Sequence, residues 1–330
     1  MKVLVYGAGV IGCFLAHTLC ASGQDVALLA RGAWRAELKK NGLVIRHRLQ
    51  RKTTVDRPRI LEKPLPDEYH DAVFAVMQHQ QMAEILDDLA AINTPLVVLV
   101  GNNMSAQEHW TRILAQTKTP KTVLFGFQGT GGRREGSVVH CVRLGGGSMS
   151  LGGLHKEPTE QEKAAITALF ASTKYRLTWV RDMDAWYKTH LTLILPVAYL
   201  CYAVGCDLRR TSSAQRKQVL DAAGQACGLL KRLGIPLLPE GADLYYKPGG
   251  KRALMAGLLW IMAKTVVGEL AATDHCRHAV TEMEELDAAF QKLREDAPEW
   301  EIPAFDALRA AMPDWARLHT LYEAEKRREL

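Results

Sequence analysis

The sequence lacks the features that would indicate a membrane protein or a disulfide-stabilised secreted protein. Its seven cysteines are odd in number, scattered and without a C-x-x-C pair, which predicts reduced, buried thiols. The longest apolar stretch, residues 253–263, ends at Lys264 and is shorter than the ~20 residues of a membrane span. No charged-then-apolar leader is visible, so we expect a cytoplasmic protein without a signal peptide and without a membrane partner.

Strong charge of one sign is also missing. The formal net charge is +6 over 330 residues, and the densest basic stretch, residues 46–59, alternates with apolar and β-branched residues. This alternation is typical of edge strands with solvated faces, so we do not expect a nucleic-acid partner. His275, Cys276 and His278 have no fourth ligand at a standard spacing, and we therefore expect no metal site.

The sequence does contain a glycine motif between a predicted strand and a predicted helix, the context of a dinucleotide-binding loop. The motif follows a short apolar run and consists of Gly7, Ala8, Gly9, Val10, Ile11 and Gly12. A helix-forming segment and a second apolar run, residues 25–30, follow at the spacing of a βαβ unit. We therefore predict that these six residues bind a dinucleotide, with its phosphates at the helix N-terminus. The alternative is a glycine-rich turn without a ligand.

The residue after the second predicted strand favours NADP(H) over NAD. NAD-selective sites usually carry an acidic side chain there, which binds the ribose 2′-hydroxyl. This chain has Arg31 instead, with Arg35 a helical turn later. A guanidinium suits a 2′-phosphate because it donates charged, bidentate hydrogen bonds to phosphate oxygens. The alternative is a solvated surface arginine.

Strand and helix signals alternate through the first half of the chain, and the strand signals stop after Arg181. We predict an α/β N-terminal domain with a Rossmann-type, doubly wound sheet over residues 1–180 and an all-α domain over residues 181–330. Residues 126–136 are predicted as a glycine-rich loop, and 138–142 with 148–152 as a hairpin. Residues 251–270 are predicted as one helix. In dehydrogenases of this layout the substrate lies between the two domains.

Lys188 is the candidate proton donor of the helical half, because it lies on the first predicted helix after the domain boundary. Lys188, Thr192 and Pro196 are spaced i, i+4, i+8 and share one helix face. A solvated lysine is the alternative.

On these residues the sequence resembles the ketopantoate reductases (2-dehydropantoate 2-reductases) over essentially the whole chain. The resemblance implies that Arg31 binds the NADPH phosphate, Lys188 is the catalytic lysine and Glu282 is an active-site glutamate. It implies that Asn102 lies beside nicotinamide and substrate, and that Gly131 contacts the cofactor. The implied fold is a Rossmann domain followed by a helical domain like the C-terminal domain of 6-phosphogluconate dehydrogenase. The implied assembly is a homodimer.

The sequence departs from this family in several substrate-binding positions. Thr192 and Pro196 stand where the family has asparagines, and Gln78 stands where it has a lysine near the cofactor. We keep Gln78 as a cofactor contact and Asn102, Lys188 and Thr192 as substrate contacts. Because Pro196 removes a helix hydrogen bond, we predict a kink near Thr192. We also predict that ketopantoate itself is a poor substrate.

The expected function is NADPH-dependent reduction of a ketopantoate-like 2-oxo acid to the 2-hydroxy acid. Lys188 would act as general acid, and Glu282 would hold Lys188 or the substrate hydroxyl. Two alternatives stay open. One is a dehydrogenase of the same fold for another small carbonyl or hydroxy compound, and the other is a regulatory protein that binds NADPH without turnover.

Overall fold

The computed structural model describes residues 1–65, 67–154 and 156–329, with only the backbone described from residue 323 onward. The chain divides into two compact units, Met1–Asp184 and Ala185–Leu330. The division falls in the first turn of the first long helix after the last strand.

The strands of the first unit form two sheets. In chain order they are β1 (Lys2–Tyr6), β2 (Asp25–Leu29), β3 (Leu43–His47), β4 (Lys52–Asp56), β5 (Arg59–Leu61), β6 (Ala72–Val76), β7 (Leu96–Val100), β8 (Thr122–Gln128), β9 (Thr130–Glu135), β10 (Val138–Arg143), β11 (Ser148–Gly152) and β12 (Arg176–Val180). In the described residues the larger sheet has the order β12-β11-β8-β7-β6-β1-β2-β5, and the smaller one β4-β3-β10-β9. The larger sheet is parallel except between β8 and β11, as the predicted Rossmann-type sheet requires.

Helices connect these strands and cover the sheet. They are α1 (Val10–Ala21), α2 (Gly32–Asn41), α3 (His79–Met82), α4 (Leu86–Ala91), α5 (Ala106–Gln116) and α6 (Glu160–Leu169), with a 3-10 turn at Ala83–Ile85. The central strands are apolar throughout because both of their faces are covered. Helix α1 packs on β1 and β2 of the larger sheet and on β9 and β10 of the smaller one, so it lies between two sheets.

Two predictions for residues 126–152 are wrong. The glycine-rich segment is not a loop but the end of β8 followed by β9, and β10 and β11 do not form a hairpin. Strand β10 pairs with β9 and β3 in the smaller sheet, whereas β11 pairs with β8 and β12 in the larger one. The chain changes sheets at the glycines between them. The predicted edge strands of residues 46–59 are confirmed, since β4 and β5 each end a sheet.

The second unit is helical in its described residues. Its helices are α7 (Met183–Ala203), α8 (Ser213–Arg232), α9 (Gly250–Lys264), α10 (Val266–Gly268), α11 (Asp274–His278), α12 (Val280–Arg294), α13 (Pro303–Ala311) and α14 (Trp315–Glu329). Short turns lie at Leu208–Arg210, Ala242–Tyr245 and, as a π-turn, Glu269–Thr273. A capping box formed by Ser212 and Gln215 begins α8. Helix α7 continues past Pro196 to Ala203.

The helix predicted over residues 251–270 ends instead at Lys264. Thr265 has an extended backbone (φ −130°, ψ 166°), and its hydroxyl accepts a hydrogen bond from the amide of Val267 in the next helix. Periodicity does not reveal this break because the apolar residues continue through it. Among the described helices none is by itself long and apolar enough to span a membrane, and α9 reaches that length only together with Val266–His278, at a bend of 79°.

A buried charge network holds part of the helical unit together. Asp287, 2 % exposed, accepts hydrogen bonds from Tyr199 Oη at 2.7 Å, Arg309 Nη2 at 2.8 Å and Trp315 Nε1 at 3.1 Å. Burial alone would raise the pKa of Asp287, but the hydrogen bonds from Arg309 and Tyr199 hold it below its ordinary value. The carboxylate therefore stays charged and joins α7, α12, α13 and α14.

Candidate active site

The cofactor residues predicted in the first unit meet at one edge of the larger sheet. Strands β2, β1, β6 and β7 are parallel neighbours, and their last residues are in register to within one residue. The glycine motif follows β1, Arg31 follows β2, Gln78 follows β6 and Asn102 follows β7. The structure therefore gathers these four features at the carboxyl ends of adjacent strands, where doubly wound folds bind their ligands.

Each glycine of the motif meets a different steric demand. Gly7 has φ +120°, and a Cβ there would collide with the carbonyl oxygen of Val76. A Cβ at Gly12 would collide with the carbonyl oxygen of Gly7. A Cβ at Gly9, by contrast, would meet nothing within 4 Å. The outer glycines thus allow backbone to approach backbone, and Gly9 leaves open space beside the loop.

The start of α1 suits an anion. Gly9 is the N-cap residue, and α1 has neither a side-chain cap nor an acidic residue in its first turn. The first amide groups of a helix point outward and carry partial positive charge. Buried side chains brace this turn: Gln128 Nε2 donates to the carbonyl of Ile11 at 3.0 Å, and Tyr175 Oη donates to Gln128 Oε1 at 2.7 Å. The cradle fits the pyrophosphate of a dinucleotide.

Arg31 lies at the end of β2 as the exposed N-cap residue of α2. Its Nη2 donates to Tyr6 Oη at 3.3 Å, and that hydroxyl donates to Asp88 Oδ2 at 2.7 Å. Burial and the hydrogen bond to Asp88 raise the pKa of Tyr6 to about 12, so the hydroxyl keeps its proton. Arg35, in contrast, pairs with Glu62 at 2.7 Å. Arg31 is thus hydrogen-bonded to Tyr6 at the end of β1, whereas Arg35 is engaged in an ion pair.

Trp34 is a residue that the sequence motifs did not indicate. It is 8 % exposed, and its Nε1 donates to the carbonyl of Ala8, inside the glycine motif, at 2.9 Å. The indole thereby ties α2 to the loop after β1. Trp34 lies one helical turn after Arg31 and therefore on the same side of α2. This spacing is the sequence feature from which Trp34 could have been predicted.

The remaining predicted residues of this unit lie nearby in the fold. Gln78 is the N-cap residue of α3, and its Oε1 accepts a hydrogen bond from Gln80 Nε2 at 2.8 Å. Asn102 follows Gly101, whose φ of +147° turns the chain at the end of β7, and is 9 % exposed. Gly131 lies in β9, opposite Val142 of β10.

In the helical unit, Lys188 lies half-buried on α7 and Glu282 is 2 % exposed on α12. From the sequence His275 is a candidate only for metal binding, but its Nε2 lies 3.2 Å from Glu282 Oε2. Burial would lower the pKa of His275, and the hydrogen bond and charge of Glu282 more than offset this, so the pKa is raised. The structure therefore pairs Glu282 with His275, and this contact favours the charged form of the histidine. Within the described residues no group of three or more His, Cys, Asp or Glu side chains could hold a metal ion.

His190 differs from His275 in its environment. Its ring stacks on Trp186, with centroids 4.9 Å apart and an interplanar angle of 16°. Burial and the neighbouring charge of His275 lower the pKa of His190 to about 4. At a pH between the two pKa values, His190 is therefore neutral and His275 is charged.

Thr192, predicted as a substrate contact, packs inside the helical unit. No part of the residue is exposed, its Oγ1 donates to the carbonyl of Thr189 at 2.7 Å, and it lies 3.4 Å from Cys227 Sγ. The hydroxyl is therefore engaged inside the helical unit, and the substrate contact of Thr192 stays a prediction. Spacing on a helix shows which residues share a face but not whether that face points inward.

Comparison with known proteins agrees with the fold described above. Residues 3–156 match the family model "Ketopantoate reductase PanE/ApbA". No curated protein matches the chain. Solved structures with a similar fold include a PanE/ApbA family ketopantoate reductase from Ralstonia eutropha JMP134, with a TM-score of 0.71 and 15 % identity over 98 % of this chain and 100 % of the other.

Two further structures show the range of this fold. A 2-dehydropantoate 2-reductase from Geobacter metallireducens GS-15 has a TM-score of 0.71 and 17 % identity, over 94 % of this chain and 98 % of its own. A D-mandelate dehydrogenase solved with NADH and anilino(oxo)acetate has a TM-score of 0.66 and 17 % identity, over 98 % of this chain and 99 % of its own.

The fold is therefore the one that these structures share, a Rossmann-type sheet in the first unit and helices in the second. Within that fold, residues 3–156 are similar to the ketopantoate reductase family, and the chain shares its fold with solved members of that family at 15–17 % identity.

Proposed function

We propose that this protein is an NADPH-dependent reductase that converts a 2-oxo acid to the 2-hydroxy acid. The observation that carries the proposal is the edge formed after β2, β1, β6 and β7, where an uncapped helix start, the open space at Gly9 and the Arg31 guanidinium occur together. When bound, the reduced nicotinamide supplies the hydride that reduces the carbonyl carbon.

The preference for NADPH rests on the side chain at the end of β2. Arg31 stands where an NAD site usually has a carboxylate, and its side chain is held by Tyr6. The nearby carboxylate of Asp88 accepts the hydrogen bond of Tyr6 Oη and lies on α4, not at the end of β2. The 2′-phosphate of NADPH would therefore meet a positive group at this position.

Lys188 is the proposed general acid. Its ammonium would donate a hydrogen bond to the substrate carbonyl oxygen and then a proton to the alkoxide that forms there. Glu282 would hold the Lys188 ammonium or the substrate hydroxyl, and His275, paired with Glu282 at 3.2 Å, would limit the negative charge it presents. Asn102 would orient the substrate through its amide.

The similar structures support a 2-oxo acid as the substrate, and two residues of this sequence favour a less polar one. Ketopantoate and mandelate are the substrate names carried by those structures, and both belong to 2-oxo or 2-hydroxy acid chemistry. Thr192 is buried and hydrogen-bonded within its own unit, and Pro196 has no side-chain donor. A polar substrate would lose partners at these positions, so we expect ketopantoate to be reduced less well than a less polar 2-oxo acid.

The test is a screen for NADPH oxidation over a panel of 2-oxo acids that includes ketopantoate. Replacing Lys188 by alanine should lower kcat by ~10²–10⁴-fold, the usual contribution of general-acid catalysis, while NADPH still binds. Lys217→Ala, at an exposed lysine of the same unit, is the matched control and should keep full activity.

Other outcomes of this screen would change the proposal. Near-normal kcat in the Lys188→Ala variant would mean that another residue is the general acid. NADPH binding without turnover of any compound would favour the regulatory protein, and turnover of other carbonyl or hydroxy compounds alone would favour a different dehydrogenase.

A further inference from the structure

Arg134 is a cation beside the glycine motif that neither the motif nor the proposed mechanism uses. It lies near the end of β9, is exposed, and places its guanidinium carbon 4.9 Å from the centroid of the Trp34 ring. A guanidinium over an indole face is attracted by the ring and keeps its N–H groups at the edges for other partners.

The fold directs Arg134 toward the start of α1. Successive side chains of a strand alternate between its faces, so Arg134 shares a face with Gly132. Strand β9 approaches α1 at Gly132, where a Cβ would lie 3.0 Å from Val10 Cγ1. Burial raises the pKa of the Cys13 thiol, also in α1, to about 12, and the charge of Arg134 is among the groups that oppose this rise. The Arg134 cation is thus close to the first turns of that helix.

Trp34 connects Arg134 with the other cofactor residues. The same indole donates to the Ala8 carbonyl at 2.9 Å, and it stands three residues after Arg31 on α2. Arg35, the other arginine of that turn, is paired with Glu62. The loop after β1 and the start of α2 are therefore flanked by two arginines from different parts of the chain, Arg31 and Arg134.

We propose that Arg134 is a second cation for the 2′-phosphate of NADP(H), held in place by stacking on Trp34, and that it contributes to the choice of NADPH over NADH. The inference rests on the proposed function and extends its cofactor site. A phosphate monoester carries close to two negative charges at neutral pH, so one arginine leaves part of the charge unbalanced. The guanidinium of Arg134 would balance the rest of the phosphate charge.

The test uses two probes that differ only in this phosphate, adenosine 2′,5′-bisphosphate and adenosine 5′-monophosphate, titrated into the whole protein by calorimetry. Arg134→Met keeps an unbranched stem to pack on Trp34 and removes the charge. We expect it to weaken binding of the bisphosphate about 10-fold, as for loss of one charged hydrogen bond, and to leave the monophosphate unchanged. Added salt should shrink the difference.

Arg133→Met is the matched control. Arg133 is the adjacent residue of β9 on the opposite face, 3.9 Å from Glu135, and its replacement should leave both probes unchanged. Arg134→Lys, which keeps the charge but loses the planar group, should fall between the wild type and Arg134→Met.

Each remaining outcome has one meaning. Equal loss of both probes in Arg134→Met would assign Arg134 to the 5′-phosphate side and overturn the inference. Unchanged binding of the bisphosphate, in a wild type that prefers it, would overturn the inference and leave the proposed NADPH preference intact. A wild type that binds both probes equally would refute that preference, and the inference with it.

Discussion

The two units hold their functional groups by different physical means. In the first unit the candidate site consists of backbone brought close together: the glycines of the motif and the ends of parallel strands. In the second unit the notable groups are buried carboxylates paired with partly exposed basic side chains, Asp287 with Arg309 and Glu282 with His275. Substitutions in the first unit should therefore act through steric fit and access, and those in the second through charge.

The largest effect on stability is expected at Asp287. Asp287→Ala should lower the free energy of unfolding by about 3 kcal/mol, because it leaves the buried Tyr199 hydroxyl and the Arg309 and Trp315 donors without their acceptor. Asp306→Ala is the matched control, since Asp306 also pairs with an arginine, at 2.7 Å, but is 47 % exposed. It should cost under about 1 kcal/mol. Equal losses of stability in urea denaturation would show that burial of the carboxylate is unimportant.

A pair of glycine variants tests the steric half of the comparison. Gly12→Ala should destabilise the protein by about 1–3 kcal/mol, because its Cβ would meet the Gly7 carbonyl. Gly9 has φ −71° and open space around its Cα, so Gly9→Ala should fold with unchanged stability and bind NADPH more weakly. Thermal denaturation and NADPH titration of both variants measure this. Normal NADPH affinity in Gly9→Ala would contradict the use of that space by the cofactor.

Arg31 tests charge within the first unit. Arg31→Ala should weaken NADPH binding by about 1–3 kcal/mol, the range for a charged hydrogen bond, and leave NADH binding nearly unchanged. A fluorescence titration with each nucleotide is sufficient. An equal loss for both would mean that Arg31 does not recognise the 2′-phosphate.

The smallest effect concerns pH and the helical unit. Because the pKa of His275 is raised in the folded protein, its stabilising contribution is complete below the unfolded value of about 6.5 and is lost as pH rises through the folded pKa. As pH rises from about 6.5 through the folded pKa of His275, the free energy of unfolding of the wild type should therefore fall more than that of His275→Gln. The difference should be under about 1 kcal/mol, since His275 is 41 % exposed. Parallel curves for the two proteins would exclude a charged His275.

The sequence predicts the first unit better than the second, for a physical reason. Gly7, Gly9 and Gly12 act through backbone geometry that a local pattern encodes, so the turn, strand and helix around them can be predicted from adjacent residues. The pairing of Glu282 with His275 and the burial of Thr192 depend on how helices pack, which spacing alone does not encode. The same limit explains the wrong hairpin at residues 138–152, because strand patterns do not specify which sheet a strand joins.

The position of α1 between two sheets has a consequence for the energetics of binding. A helix start fixed on both sides loses little conformational freedom when an anion arrives, so little of the binding free energy is spent on ordering it. Affinity at this cradle is then governed by the fit and charge of the nucleotide. Variants that loosen the smaller sheet at β4, the edge strand opposite β9, should weaken binding through the entropy of the free protein.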